Sequence, residues 1–321
     1  MWRHVFVLPA AGMLVAAVAC AGSQEAAPST TRMPATSAAP TTVVDSQPDV
    51  VGTSGVVVGC DLPDDAGSVT IECDGLSFDV SVPESCLAES CGLIVDVPGG
   101  TGGAGAEIAE RHTEMQERGN AAGYVVVQPD VPPDGWNYQV DSVRIRSVLE
   151  QLIEALDIDQ NRVHIGGHSS GGYIAWAFVC DHADLIASAA PLGAGASTED
   201  DSSCEFDTPG HPSEEIDIFL AHGRTDRVVP FETALAQRDL VLAEWDMAGD
   251  QVLAATPEHS WTRWTSPSGT VFEFLEFDWY GGFLLGHCIP GVAKEIGCGA
   301  DTPVHYGQAA LDFYIAHPKN E

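Results

Sequence analysis

The chain has 321 residues, with 47 acidic and 13 basic side chains and a formal net charge of −34. That balance excludes nucleic acid as a partner, because phosphate is repelled by such a surface, and it opposes adhesion of the body to anionic lipid. Hydrophobic residues at 45% and seven Trp fit a packed globular body rather than a disordered chain. The acidic excess has two open readings, adaptation to salt that screens self-repulsion and plain solubility.

Residues 1–20 read as a targeting segment. Met1-Trp2-Arg3-His4 is a basic start, and Val5 to Ala19 is an apolar run too short and wrongly flanked for an ordinary transmembrane helix. The run ends at Ala17-Val18-Ala19-Cys20, which resembles a bacterial lipoprotein box. Cleavage before Cys20 and lipidation of its sulfur would tether the chain to the outside of a bacterial cell membrane. Ordinary signal cleavage around Ala19 stays open, since Ala17 stands where Leu is usual. Either way the chain is expected to be secreted, and to meet a membrane only through that anchor. Residues 21–51, rich in Ala, Ser, Thr and Pro with no apolar period, read as a flexible linker. Residues 52–321, about 270 in number, suffice for one domain with a single large core. Oligomeric state stays open.

The folded part opens with a hairpin signal: Ser68-Val69-Thr70-Ile71, then the turn pair Asp74-Gly75, then Leu76, Phe78, Val80 and Val82 alternating with polar residues. Gly92–Val97 reads as a buried strand that ends in Pro98-Gly99-Gly100-Thr101-Gly102-Gly103. A helix is expected around 105–120, a strand at Tyr124–Pro129, and a helix capped by Asp141 whose Val148, Leu149, Leu152, Ile153 and Leu156 form one stripe. Then follow a strand at Arg162–Gly166, a helix over 171–182, and strands at 185–192 and Ile216–Ala221. A helix over 231–247, a strand at Val271–Phe277 and a helix over 305–316 complete the pattern. Strands alternating with helices predict an α/β fold with a mostly parallel central sheet and helices on both faces, binding its ligand beyond the carboxyl ends of the strands.

Cys20 aside, eight cysteines remain. An even count in an exported chain suggests disulfides, and sequence alone does not choose among the pairings. The expectation adopted is that neighbours pair: Cys60 with Cys73, Cys86 with Cys91, Cys180 with Cys204, and Cys288 with Cys298. Metal binding is the weaker alternative, because Cys86 and Cys91 have no nearby His or second Cys pair to complete a tetrahedral site.

Gly167-His168-Ser169-Ser170-Gly171 follows a strand and precedes a helix, the setting in which a sharp turn lifts a serine hydroxyl out of a sheet. Ser169 is the candidate nucleophile; a Gly-rich structural turn is the alternative. A serine needs a base, and the base an orienting acid, in the chain order Ser, Asp, His for this architecture. Asp226 lies in His222-Gly223-Arg224-Thr225-Asp226 after one strand, and His287 in the Gly-rich loop after the last strand. His168 and His222 belong to motifs with other roles, His259 and His305 lack a strand-end loop, and His317 is in the tail. The oxyanion donors are expected from the backbone N–H of Ser170 and from Gly100 or Thr101. The run at 99–103 lacks the Lys-Ser/Thr of a phosphate loop, which argues against a nucleotide. Trp136, Tyr138, Trp279, Tyr280 and Phe283 fall near strand-end loops and read equally as pocket walls or plain packing. No metal and no organic cofactor is implied.

Together, the segment from Arg162 to Tyr173 (Arg-Val-His-Ile-Gly-Gly-His-Ser-Ser-Gly-Gly-Tyr), His222-Gly223 with Asp226 and Val229-Pro230, and Gly286-His287 with Pro290-Gly291 resemble one branch of the α/β-hydrolases. It is the polyhydroxybutyrate-depolymerase and feruloyl-esterase branch, which includes carbohydrate esterase family one, and the resemblance runs from about 68 to 317. It implies a serine esterase acting on an ester substrate, whether small molecule, oligomer or polymer. An acyltransferase or peptidase on the same scaffold, or a binding lipoprotein without catalysis, are the alternatives. The sequence departs from the branch at Pro98-Gly99, where members commonly carry His-Gly. No extra polymer-binding domain is seen after the catalytic one.

Overall fold

Strands buried at every residue, at 92–97, 124–129 and 163–168, alternate with helices along the chain, the mark of a sheet covered on both faces. The computed structural model describes residues 59–100, 113–195, 212–281, 285–293 and 296–319, all within one compact unit spanning Val56–Glu321. The targeting segment with Cys20, the linker, Thr101, the first half (105–112) of the helix expected over 105–120, Cys204 and Phe283 lie outside the described residues.

Ten strands form one sheet among the described residues: β1 (Gly67–Cys73), β2 (Leu76–Val82), β3 (Gly92–Val97), β4 (Tyr124–Pro129), β5 (Val163–His168), β6 (Ser188–Leu192), β7 (Asp217–Gly223), β8 (Ala248–Ala255), β9 (His259–Thr265) and β10 (Val271–Phe277). Their spatial order is β1-β2-β4-β3-β5-β6-β7-β10-β9-β8. The six strands from β4 to β10 in that order pair in parallel, and an antiparallel pair flanks them on each side. The expected mostly parallel sheet is therefore present. β8 and β9 were not among the expected elements, because β8 is exposed almost throughout and has no apolar alternation to announce it.

The helices are α1 (Met115–Ala121), α2 (Tyr138–Ala155), α3 (Ser170–Asp181), α4 (Phe231–Glu244) and α5 (Tyr306–Ala316). Leu93, Val95, Val125, Val127, Ile218 and Leu220 turn to one face, where α2, α3 and α4 cover them. Ile94, Tyr124, Val126, Phe219 and Ala221 turn to the other, where α1 and α5 do so. α2 begins a turn earlier than expected. Its N-cap is Asn137, whose Oδ1 accepts from the Val140 N–H, while Asp141 reaches back to accept from the Asn137 N–H at 2.7 Å. Disulfides join Cys60 to Cys73, Cys86 to Cys91 and Cys288 to Cys298, as neighbour pairing expects. Cys180 is also disulfide-bonded, and its expected partner Cys204 is outside the described residues.

On the α5 side β5 carries His164, fully buried, its ring 4.9 Å from that of Tyr314 and its Nδ1 2.8 Å from Ser188 Oγ. Burial, aided by the nearby Arg162 charge, pushes His164 down to about 3 from an ordinary 6.5. Between those values the unfolded chain binds a proton that the folded chain refuses, so stability falls as pH drops. Buried Asp96 is pushed up by desolvation against hydrogen bonds from Thr113 and Gln128, and acts with the opposite sign. The His164 share is isolated by His164→Phe. Denaturant unfolding between pH 4 and 6 should show the slope of stability against pH reduced by about 1.4 kcal/mol per pH unit relative to wild type; an unchanged slope would contradict the assignment.

Candidate active site

Three strand ends converge on the site. β5 ends at His168, and Ser169 follows with φ 57° and ψ −124°, a conformation costing on the order of 1–3 kcal/mol in a residue with a side chain. The turn is held by a bond from the Ser169 N–H to the Leu192 carbonyl (2.8 Å) on the neighbouring strand and by the Tyr173 N–H donating to the Ser169 carbonyl. It fits only because its flanks lack side chains. A Cβ at Gly171 would lie 2.1 Å from the Val97 carbonyl oxygen, and one at Gly167 would lie 2.7 Å from the same atom.

β7 ends at Gly223, and Asp226 sits in the turn beyond it, its N–H bonded to the Gly223 carbonyl. Asp226 Oδ1 accepts from the N–H groups of Val228 (2.8 Å) and Val229 (2.9 Å). Its Oδ2 accepts from His287 Nδ1 at 2.6 Å. Both side chains are buried. The chain segments that carry them touch through glycines: a Cβ at Gly223 would meet the Gly286 carbonyl oxygen at 2.2 Å, and one at Gly286 would meet the Asp226 nitrogen at 2.5 Å. Just after His287, the Cys288–Cys298 disulfide closes the loop, a constraint contributing roughly 2–3 kcal/mol.

The structure thus brings Asp226 and His287 into direct contact, and the His287 ring lies 4.7 Å from that of His168, the residue before Ser169. With Nδ1 donating to Asp226, Nε2 is the basic nitrogen, and it is buried with no hydrogen-bond partner among the described residues. A serine on a strained turn near an imidazole oriented by a carboxylate can perform acyl transfer.

Four further described histidines have partners of their own. His222 is buried, its Nε2 3.0 Å from the Val229 carbonyl and 3.4 Å from Asp226 Oδ2, and burial holds it below the ordinary imidazole value. Neutral His222 therefore donates along the acid loop and adds no charge to it. His259 bonds Thr256, His305 caps α5, and His317 bonds Asp217. Among the described residues, no three His, Cys, Asp or Glu side chains gather where a metal ion could sit, and no helix is long and apolar enough to cross a membrane.

The expected oxyanion donors fare unequally. Ser170 opens α3, so its N–H has no intrahelical acceptor. The Gly100 N–H, by contrast, donates to Ser170 Oγ at 2.9 Å, and that hydroxyl lies 3.2 Å from the Gly100 carbonyl oxygen. In this geometry the Gly100 N–H thus already has an acceptor. Thr101 is outside the described residues. Of the aromatics, Trp136 and Trp279 are buried, Tyr138 packs on Tyr173 at 5.4 Å, and Tyr280 is exposed.

Gly193, just after β6, makes the space for the His287 ring. A Cβ there would lie 3.2 Å from His287 Cε1 and 3.3 Å from Nδ1, at a φ of +62°. Gly193→Ala should slow labelling of Ser169 by a fluorophosphonate about tenfold by tilting the imidazole. The backbone cost should be only about 1–2 kcal/mol in denaturant unfolding. Wild-type labelling in the variant would show that the ring does not need that space.

No protein-family model matches the sequence, and no curated protein matches it. Solved structures do. The chain is similar to a thermostable esterase at 18% identity and a TM-score of 0.51, over 80% of this chain and 64% of that one. It thus spans less than two thirds of that protein's length. It is also similar to the acetyl xylan esterase from Aspergillus awamori at 15% identity and a TM-score of 0.54, over 75% of this chain and 94% of that one. At such identities a likeness speaks for the fold alone, and with the strand order above it makes this an α/β-hydrolase fold.

Proposed function

We propose that the chain is a carboxylic ester hydrolase that works through an acyl-enzyme on Ser169. The observation that carries this reading is the buried 2.6 Å bond from His287 Nδ1 to Asp226 Oδ2, beside a serine held at positive φ on a strand end. Ser169 Oγ attacks the ester carbonyl and its proton passes to His287 Nε2. Asp226 fixes the ring and stabilises the imidazolium. The alcohol leaves with that proton; water, deprotonated by the same nitrogen, then attacks the acyl carbon and restores Ser169 while the acid departs.

Esterase names among the structural neighbours support the reaction class, and one of those neighbours is an acetyl xylan esterase. The sequence motifs support the narrower branch of polyhydroxybutyrate depolymerases and feruloyl esterases, with hydroxyalkanoate oligomers and feruloyl or other aryl esters as the substrate classes. The test is a panel of p-nitrophenyl esters of graded chain length, methyl ferulate and a hydroxybutyrate oligomer, beside fluorophosphonate labelling. Wild type should be labelled and should hydrolyse at least one class, and Ser169→Ala should lose both by about 10³-fold or more. An unlabelled wild type, inert across the panel, would overturn the reading. Transfer of the acyl group to an added alcohol in preference to water would instead indicate an acyltransferase.

For location we propose export and attachment through a lipid thioether on Cys20, supported by the apolar run that ends at Ala19-Cys20. In a bacterial host, radiolabelled palmitate should enter the full chain and be lost in Cys20→Ala. Equal labelling of the two would remove the anchor.

A further inference from the structure

The strand-end turn at Pro98-Gly99-Gly100 lies directly on the nucleophile. A Cβ at Gly99 would be 2.4 Å from the His168 carbonyl oxygen and 2.8 Å from Ser169 Cβ. Any N–H of this turn that faces a developing oxyanion must be aimed by the turn's own backbone, since none of its described residues, 98–100, has a polar side chain to hold it. Pro98 has no N–H and no polar side chain, and the two glycines after it impose no conformation. A loop of that composition is soft, whereas oxyanion stabilisation depends on dipoles that do not reorganise during the reaction.

The stiffness comes from outside. Trp136, buried in the loop between β4 and α2, donates its indole Nε1–H to the Pro98 carbonyl at 3.0 Å. A peptide plane is rigid, so fixing that carbonyl also fixes the direction of the Gly99 N–H on the opposite side of the same plane. One residue on, Ser170 Oγ takes the Gly100 N–H. Trp136 itself is held, because the next residue is the N-cap of α2, whose N–H donates to Asp141 and whose side chain accepts from Val140.

The geometry points to Trp136 as a positioning residue for the oxyanion turn of Ser169: its indole N–H, bonded to the Pro98 carbonyl, sets the orientation of the backbone that faces the substrate's carbonyl oxygen. This rests on the ester-hydrolase reading above. It assigns Trp136 a role in kcat, neither as pocket wall nor as plain packing, and it requires no contact between the indole and the substrate.

The variant that isolates the bond is Trp136→Phe, which keeps a ring and removes the donor. The measurement is turnover of matched p-nitrophenyl esters and thionoesters, because sulfur accepts such hydrogen bonds poorly and the oxo-to-thiono ratio of kcat reports how well the hole is formed. For Trp136→Phe the oxo-ester kcat should fall about tenfold with KM within about twofold, and the oxo-to-thiono ratio should fall with it. A loss of folded enzyme lowers both substrates alike and leaves the ratio unmoved. Trp136→His is the rescue: with its Cδ2 where the indole has Cδ1, its Nε2–H superposes on the indole N–H, and the ratio should recover toward wild type. An active wild type, with a Trp136→Phe ratio unchanged, would overturn this inference while leaving the hydrolase reading intact. A wild type inert toward every ester would overturn the hydrolase reading and this inference with it.

Discussion

The carbonyl group of Val97 at the end of β3 lies against bare backbone on two sides, that of Gly167 at the end of β5 and that of Gly171 in the first turn of α3. No side chain fits in either gap. This contact sets how closely the turn at Pro98 can approach the turn at Ser169, and with it the distance between an attacking hydroxyl and the N–H groups that would receive the charge. The separations are shorter than any Cβ contact tolerates, so Ser169 is placed by main-chain packing and its precision is that of the sheet itself.

The other half of the site has a different construction. Asp226 and His287 stand on loops, which are ordinarily the softer parts of a fold. Here the Asp226 carboxylate accepts two backbone N–H bonds and one from the imidazole, the loops meet at paired glycines, and a disulfide closes the segment that follows His287. His222, kept neutral by burial, fills the space beside the carboxylate and bonds the Val229 carbonyl without competing for charge. These bonds offset the strain at Ser169, so the unfavourable backbone of one residue is distributed over a network spanning three strand ends.

Much of this was legible in the sequence because it obeys local rules. Ser169 sits between a strand and a helix in a small-residue turn, and Asp226 and His287 follow in order on later strand ends, so chain order and composition were enough to nominate them. The parts that escaped are those made by distant pairs. Trp136 and the Pro98 carbonyl are 38 residues apart, and Gly100 and Ser170 are 70 apart, so neither bond leaves a periodic trace. β8 escaped because an exposed strand has no reason to alternate. Asp141 was misread as a cap because it takes part in the cap: it accepts the N–H of the true N-cap, Asn137, from one turn further along.

That cap has a consequence for how the protein would wear out. Trp136 and Asn137 are neighbours, so the side chain that aims the turn at the nucleophile and the side chain that begins α2 are anchored through one peptide bond. The first turn of a helix is ordinarily among the cheapest regions of a protein to open, and Val140 in this one is exposed. Opening it would release the indole while the sheet, the acid and the base stayed folded. On warming, such a molecule would fall silent while its spectroscopic signature of folding remained intact. The temperature at which it stops working would be set by one helix end, and the temperature at which it melts by the core.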